Sequence, residues 1–117
     1  MIESYRDLEI YKRSYNIALK LHKITKKFPE TERYDLTSQI RRCSKSIPTN
    51  IAEGYGRNSK EEFKRFLKIS LGSNDEMQVH LSFSKDLNYI SEEEYIELRN
   101  EYNEIGRMLN TTLQKWK

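Results

Sequence analysis

The sequence predicts an all-α domain folded as an antiparallel, up-down-up-down four-helix bundle. Apolar side chains recur at three- and four-residue steps in four stretches, the spacing of one helix face. The chain holds one Val, four Gly and two Pro, too few for the β-branched runs and frequent turns of strand-rich domains. The breaks between stretches are only about three to five residues long, which forces consecutive helices antiparallel. The 117 residues fit one domain over 1–117.

The first helix is expected over about 7–28. Leu8, Tyr11, Tyr15, Ala18, Leu21 or His22, and Thr25 form its inner face. Asp7 can cap its start, Lys26 and Lys27 suit the negative end of its dipole, and Pro29 stops it. The second helix is expected over about 33–53, with Leu36, Ile40, Cys43, Ile47, Ile51 and Gly54 as its stripe. Pro48 lies inside and predicts a kink, because it removes one backbone bond and crowds the Ser44 carbonyl. Two shorter helices broken at Ile47-Pro48 are the alternative. Gly54 and Gly56 end the helix, since glycine tolerates left-handed geometry.

The third helix, about 60–87, starts from a capping box of Ser59 and Glu62. Its inner face reads Phe63, Phe66, Leu67, Ser70, Asn74, Met77, Leu81, Ser84 and Leu87. The fourth, about 92–115, starts from a second box, Ser91 with Glu94. Tyr95, Leu98, Tyr102, Ile105, Leu109, Thr112 and Trp116 alternate steps of three and four, a heptad seam suited to left-handed helix packing.

Leu, Ile, Val and Phe total 27 residues, enough for one thin core. A slender, highly charged chain of this kind also suits a protomer that completes its core by oligomerising. Cys43 is the single cysteine, so no intrachain disulfide forms, and a lone thiol fits a reducing cytoplasm. No apolar run approaches the ~20 residues of a membrane span, and the N-terminus does not read as a signal peptide. Residues 1–73 carry 16 Lys/Arg against 9 Asp/Glu, whereas residues 74–117 carry 5 against 9. This split points to an anionic partner for the basic half, or to charge pairing between subunits.

The segment SQIRRCSKSIPTNIAEGYGR at 38–57, followed by NSKEEFKRFLKISLGSNDE, resembles the bacterial four-helix-bundle family of proteins encoded in intervening sequences of 23S rRNA genes. The opening DLEIYKRSYNIALKLHKITKKFP is similar to the family's first helix, so the resemblance covers nearly the whole chain. Cys43 and Thr49 stand where Ala is common in the family. The resemblance implies a homopentameric ring around a central channel. It also implies kinship with the accessory variability determinant of diversity-generating retroelements, which assists a reverse transcriptase and binds nucleic acid.

Five groups of residues are candidates for chemistry or for contacts. Arg41, Arg42, Lys45, Arg57, Lys60, Lys64, Arg65 and Lys68 form a basic stretch, and Lys60, Lys64 and Lys68 make one row on a helix face. Such a row can follow a phosphate backbone, or be a solvated face paired with Glu61 and Glu62. No aromatic is interleaved with it, so any binding is expected to be sequence-nonspecific. Pro48, Asn50, Glu53 and Gly54 read as a structural motif fixing subunit contacts, with the Ser44 carbonyl as a partner for Asn50. The EGYGRNSK turn lacks phosphate-loop spacing. Glu76 and His80 give E-x-x-x-H with no second copy, so no metal site and no cofactor are expected. Cys43 reads as an inert buried thiol, and no catalytic residue is assigned. Tyr5, Tyr11, Tyr15, Tyr95, Tyr102 and Trp116 read as packing or as interface aromatics.

The function expected from the sequence is a non-catalytic, oligomeric, cytoplasmic adaptor for RNA, DNA or a nucleic-acid enzyme. A scaffold that binds only protein is the alternative, and a metal-dependent nuclease the third reading.

Overall fold

The computed structural model describes residues 2–115. Four helices carry the fold: α1 (Glu9–Ile24), α2 (Leu36–Tyr55), α3 (Lys60–Asp86) and α4 (Glu92–Gln114). No strand occurs among the described residues. α2 packs on α1 and α3, and α4 packs on α3 and α1, so the helices occupy the corners of a square in chain order. α1 and α3 therefore sit on one diagonal. The longest dimension is 43 Å, close to the length of α3.

The core is the sum of the four stripes. Ile40, Ile47 and Ile51 of α2, Leu67 and Met77 of α3, and Tyr102, Ile105 and Leu109 of α4 are fully buried. The α2 stripe is buried at every expected position, and so is the α3 stripe from Phe63 to Ser84. Leu87 departs from the expectation: it lies past the last turn of α3 and is 47% exposed. On α4, Leu98, Tyr102, Ile105 and Leu109 are buried, while Tyr95 and Thr112 are half-buried at the ends. Trp116 and Lys117 lie outside the described residues.

The first helix differs most from its expectation. Its buried face is Ile10, Ser14, Ile17, Ala18 and Leu21, and Tyr15 is exposed. Ser14 can sit in the middle of this stripe because its hydroxyl donates to the Ile10 and Tyr11 carbonyls, at 2.7 and 3.1 Å. The α-helix is also shorter than 7–28. Asp7 caps a separate 3-10 turn, Tyr5–Asp7, through a box with Ser4. At the other end the chain tightens into 3-10 turns at Thr25–Lys27 and Glu30–Glu32, so this connection is the longest of the three.

α2 continues through Pro48 as one helix rather than two. Just after the proline, two side chains take up backbone oxygens of the preceding turn. Thr49 Oγ1 donates to the Lys45 carbonyl at 2.7 Å, and Asn50 Nδ2 to the Ser46 carbonyl at 2.8 Å, so the Asn50 partner is Ser46 and not Ser44.

Gly54 does not end α2. It lies inside the helix, buried, with negative φ. Its role is close approach: a Cβ built there would stand 2.6 Å from Phe66 Cβ and 3.2 Å from Phe63 Cδ1. The left-handed residues of the corners are instead Asn58 (φ 53°) and Asn88 (φ 64°), asparagine being the non-glycine residue most tolerant of that region. Ser59 and Ser91 then cap α3 and α4 as expected, Ser91 with the full reciprocal box to Glu94.

Candidate nucleic-acid interface

The eight expected cations fall into two groups in space. Arg41, Arg42 and Lys45 rise from the first half of α2. Arg57, Lys60, Lys64, Arg65 and Lys68 lie around the α2–α3 corner and the first turns of α3.

The corner group is largely tied up in its own contacts. Arg57 pairs with Glu53 at 3.6 Å, and Arg65 holds Glu62 through two bonds of 2.9 and 3.2 Å. Both guanidinium groups also lie over the Phe66 ring, 5.2 and 4.5 Å from its centre. The Arg65 contact holds the Glu62 carboxyl below its ordinary value. These two arginines thus brace the corner where Gly54 lets α3 close on α2. Lys60, Lys64 and Lys68 form the expected row on α3, with Lys60 and Lys68 exposed. Glu53 is exposed and engaged with Arg57, and Pro48 is buried at the α1–α2 contact.

The α2 group meets α1. Arg41 crosses to it, donating from Nε to Thr25 Oγ1 at 2.9 Å and from Nη2 to the His22 carbonyl at 3.1 Å. Arg42 bonds Gln39 on its own helix, and Lys45 is exposed with no ion pair among the described residues. Around them the field is positive. The Arg41 guanidinium, with partial burial and then the charges of Lys26 and Lys45, pushes His22 below its ordinary imidazole value. A groove of about 570 Å³ on this face is lined by Arg33, Tyr34, Arg41, Arg42, Lys45 and Asn50, among others. Tyr34 is 85% exposed at its rim, with the Arg33 guanidinium 5.2 Å from its ring centre.

Sequence reading missed three members of this face: His22, Lys26 and Tyr34. In the sequence Lys26 only suits the helix dipole, and the fold is needed to bring the end of α1 beside α2. An aromatic does stand among the cations, but it comes from the loop before α2 and not from the basic stretch itself.

A second strip adjoins the groove. Tyr5 packs edge-on against Tyr11 (4.8 Å between ring centres), and Tyr11 stacks with Tyr15 (5.7 Å). These rings line a hollow with Leu19, Pro48 and Ala52. On the diagonally opposite helix, α3, Val79 and Phe83 are exposed, with Leu87 just beyond its end.

The acidic half of the chain is used inside the same bundle. Arg13 of α1 reaches Glu101 and Glu104 of α4 at 3.5 and 3.6 Å, Lys20 pairs with Glu97, and Arg107 pairs with Glu104. Finally, one group of metal-ligating side chains converges among the described residues: Cys43 of α2 with Glu76 and His80 of α3. Burial above all, then the Glu76 carboxylate, pushes the Cys43 thiol up to about 12, so it stays protonated and donates to the Ser73 carbonyl at 3.2 Å.

These features define a small antiparallel four-helix bundle. The chain belongs to the 23S rRNA-intervening sequence protein family, whose model matches residues 6–111. It is also similar to a crystallised protein of unknown function from the S23 ribosomal protein family of Bacteroides thetaiotaomicron VPI-5482. The two share 24% identity and a TM-score of 0.83 over 90% of this chain and 95% of that one, a likeness of fold. No curated protein matches the chain. None of the described helices is long and apolar enough to cross a membrane.

Proposed function

We propose that this protein is a non-catalytic, homo-oligomeric adaptor that binds RNA or DNA without sequence preference through its α1–α2 face. The observation that carries the reading is the groove on this face, lined by Arg33, Arg41, Arg42 and Lys45, whose like charges repel one another. A phosphate backbone relieves that repulsion, and the released counterions supply the binding energy. Tyr34 offers an exposed ring on which a base can stack, which is sequence-tolerant. Charge pairing between subunits is less suited to the molecule, because α4 carboxylates already pair with α1 within one chain.

Oligomerisation is supported by the two exposed apolar strips, one on α1 and one on α3. They lie on a diagonal and differ in composition. A contact of one strip with the other is head-to-tail, and a head-to-tail contact that closes forms a ring. The family resemblance makes five the expected number. Several copies of a weak basic face then act together on one polyanion or on a nucleic-acid enzyme such as a reverse transcriptase.

The test is binding of single- and double-stranded RNA and DNA across a salt series. Affinity is expected to fall linearly in log–log form, with a slope reduced in Lys26→Glu/Lys45→Glu. A parallel variant, Lys60→Glu/Lys64→Glu/Lys68→Glu, reports whether the α3 row joins the contact. Absence of binding at low salt, or binding indifferent to salt, overturns the nucleic-acid reading. Light scattering that gives only the 14.1 kDa monomer at all concentrations overturns the oligomer.

A further inference from the structure

Cys43, Glu76 and His80 bring a thiol, a carboxylate and an imidazole to one point of the α2–α3 contact. Glu76 and His80 stand one turn apart on α3, with Glu76 Oε2 2.9 Å from His80 Nε2. Cys43 faces them from α2, and the three ligating atoms all lie within 4.8 Å of one another. A tetrahedral zinc ion with bonds of about 2.0–2.3 Å sets its ligand atoms roughly 3.3–3.8 Å apart. The Glu76–His80 pair is a few tenths of an ångström tighter than that, and the 4.8 Å bound leaves at most about 1 Å to close elsewhere in the triad.

The surroundings are graded as such a site requires. Cys43 is 3% exposed, the His80 side chain 14% and the Glu76 side chain 46%, so the sulfur is dry and the carboxylate side opens to water. A separate observation points to the same place. The Tyr102 hydroxyl from α4 is fully buried with no hydrogen-bond partner among the described residues. It belongs to the same buried core cluster as Cys43. A buried O–H without an acceptor is costly, and a metal-bound thiolate is an acceptor of the kind that supporting hydrogen bonds around metal sites use.

We propose that Cys43, Glu76 and His80 form a zinc site of three protein ligands, with the fourth position open to solvent beside Glu76. The mixed sulfur, nitrogen and oxygen set suits zinc over magnesium or calcium, which take oxygen ligands. On binding, the Cys43 S–H bond breaks, its proton passes to solvent and the sulfur lone pair forms the metal bond. No oxidation or reduction is involved. The ion bridges α2 to α3 and stabilises the folded chain by mass action. Nothing in this inference depends on the nucleic-acid reading.

The experiment titrates the metal-free full-length chain with Co²⁺ as a spectroscopic stand-in, then displaces it with Zn²⁺. The expected result is one ion per chain, a sulfur-to-cobalt charge-transfer band and tetrahedral ligand-field bands that zinc abolishes. Cys43→Ser removes the charge-transfer band. His80→Ala, at the rim, keeps the fold by circular dichroism and weakens zinc binding at least about tenfold. Zinc raises the melting temperature of the parent but not of His80→Ala. A titration without the charge-transfer band overturns the proposal, as does zinc affinity unchanged in His80→Ala. A Glu93→Gln control on exposed α4 is expected to leave both readouts as in the parent.

Discussion

Replacing Gly54 with alanine sets two known effects against each other at one atom. In a helix interior, Gly→Ala favours the helix by about 1 kcal/mol. At Gly54 the added carbon would lie 2.6 Å from Phe66 Cβ, where carbon atoms normally rest at about 3.5–4.0 Å. Phe66 Cβ is fixed to the α3 backbone and cannot rotate away. The helices must therefore separate by about 1 Å at this level. Overpacking of this kind costs about 1–3 kcal/mol, and a backbone-anchored clash belongs at the upper end. The net expectation for Gly54→Ala is a loss of about 1–2 kcal/mol and a melting temperature lower by roughly 4–8 °C. Gly72→Ala is the internal control, because no atom lies within 4 Å of its built Cβ. That variant is expected to gain about 0.5–1 kcal/mol from propensity alone. Urea unfolding of both, at matched protein concentrations, reads the difference. If Gly54→Ala proves as stable as the parent, the close approach of α2 and α3 is not what selects glycine there.

Arg41→Ala is expected to cost about 1–2 kcal/mol in urea unfolding, since it removes two guanidinium bonds that tie α2 to α1, and Arg41→Lys is expected to recover little because it lacks the planar fork. Tyr102→Phe in metal-free protein is expected to be neutral or to gain up to about 1 kcal/mol, because it removes a buried hydroxyl without a partner; a clear loss would reveal an acceptor for that group. His22 is expected to titrate below 6.5 in its NMR signals, and to move upward when a polyanion binds, while an unmoved His22 would place the polyanion elsewhere. With its folded value depressed, acidifying from 6.5 protonates the unfolded chain first, so stability falls with pH until the folded value is passed.

The second, third and fourth helices were legible because their apolar side chains repeat at helical steps and their starts carry side-chain caps. In the first helix Ala18, Leu21 and Thr25 are buried as expected, but its earlier turns were read out of phase for a specific reason. Tyr11 and Tyr15 are its largest side chains and drew the stripe toward themselves. The true face has Ser14 at its centre, buried by backbone hydrogen bonds that hydrophobicity does not reveal. Gly54 looked like a helix end because its neighbour across the interface, Phe66, was invisible without register. The same lack of register hid Cys43 as the third member of the Cys43–Glu76–His80 cluster, although the Glu76–His80 pair is visible in the sequence as E-x-x-x-H. The basic stretch was legible as charge but not as geometry. One sequence-adjacent run contains an arginine that fastens two helices, two that brace a corner on Phe66, and lysines that face solvent.

The square arrangement also bears on how the chain reaches its folded state. Each helix except the last pairs first with its immediate successor, so most of the interface forms over short loops, a topology associated with microsecond-to-millisecond folding. Only the α1–α4 seam joins distant parts of the chain. It is the sparsest of the four and is edged by exposed ion pairs that salt screens. That seam is where a nascent bundle closes last and where amide hydrogens exchange earliest, leaving the α2–α3 hairpin as the part that forms first and persists longest.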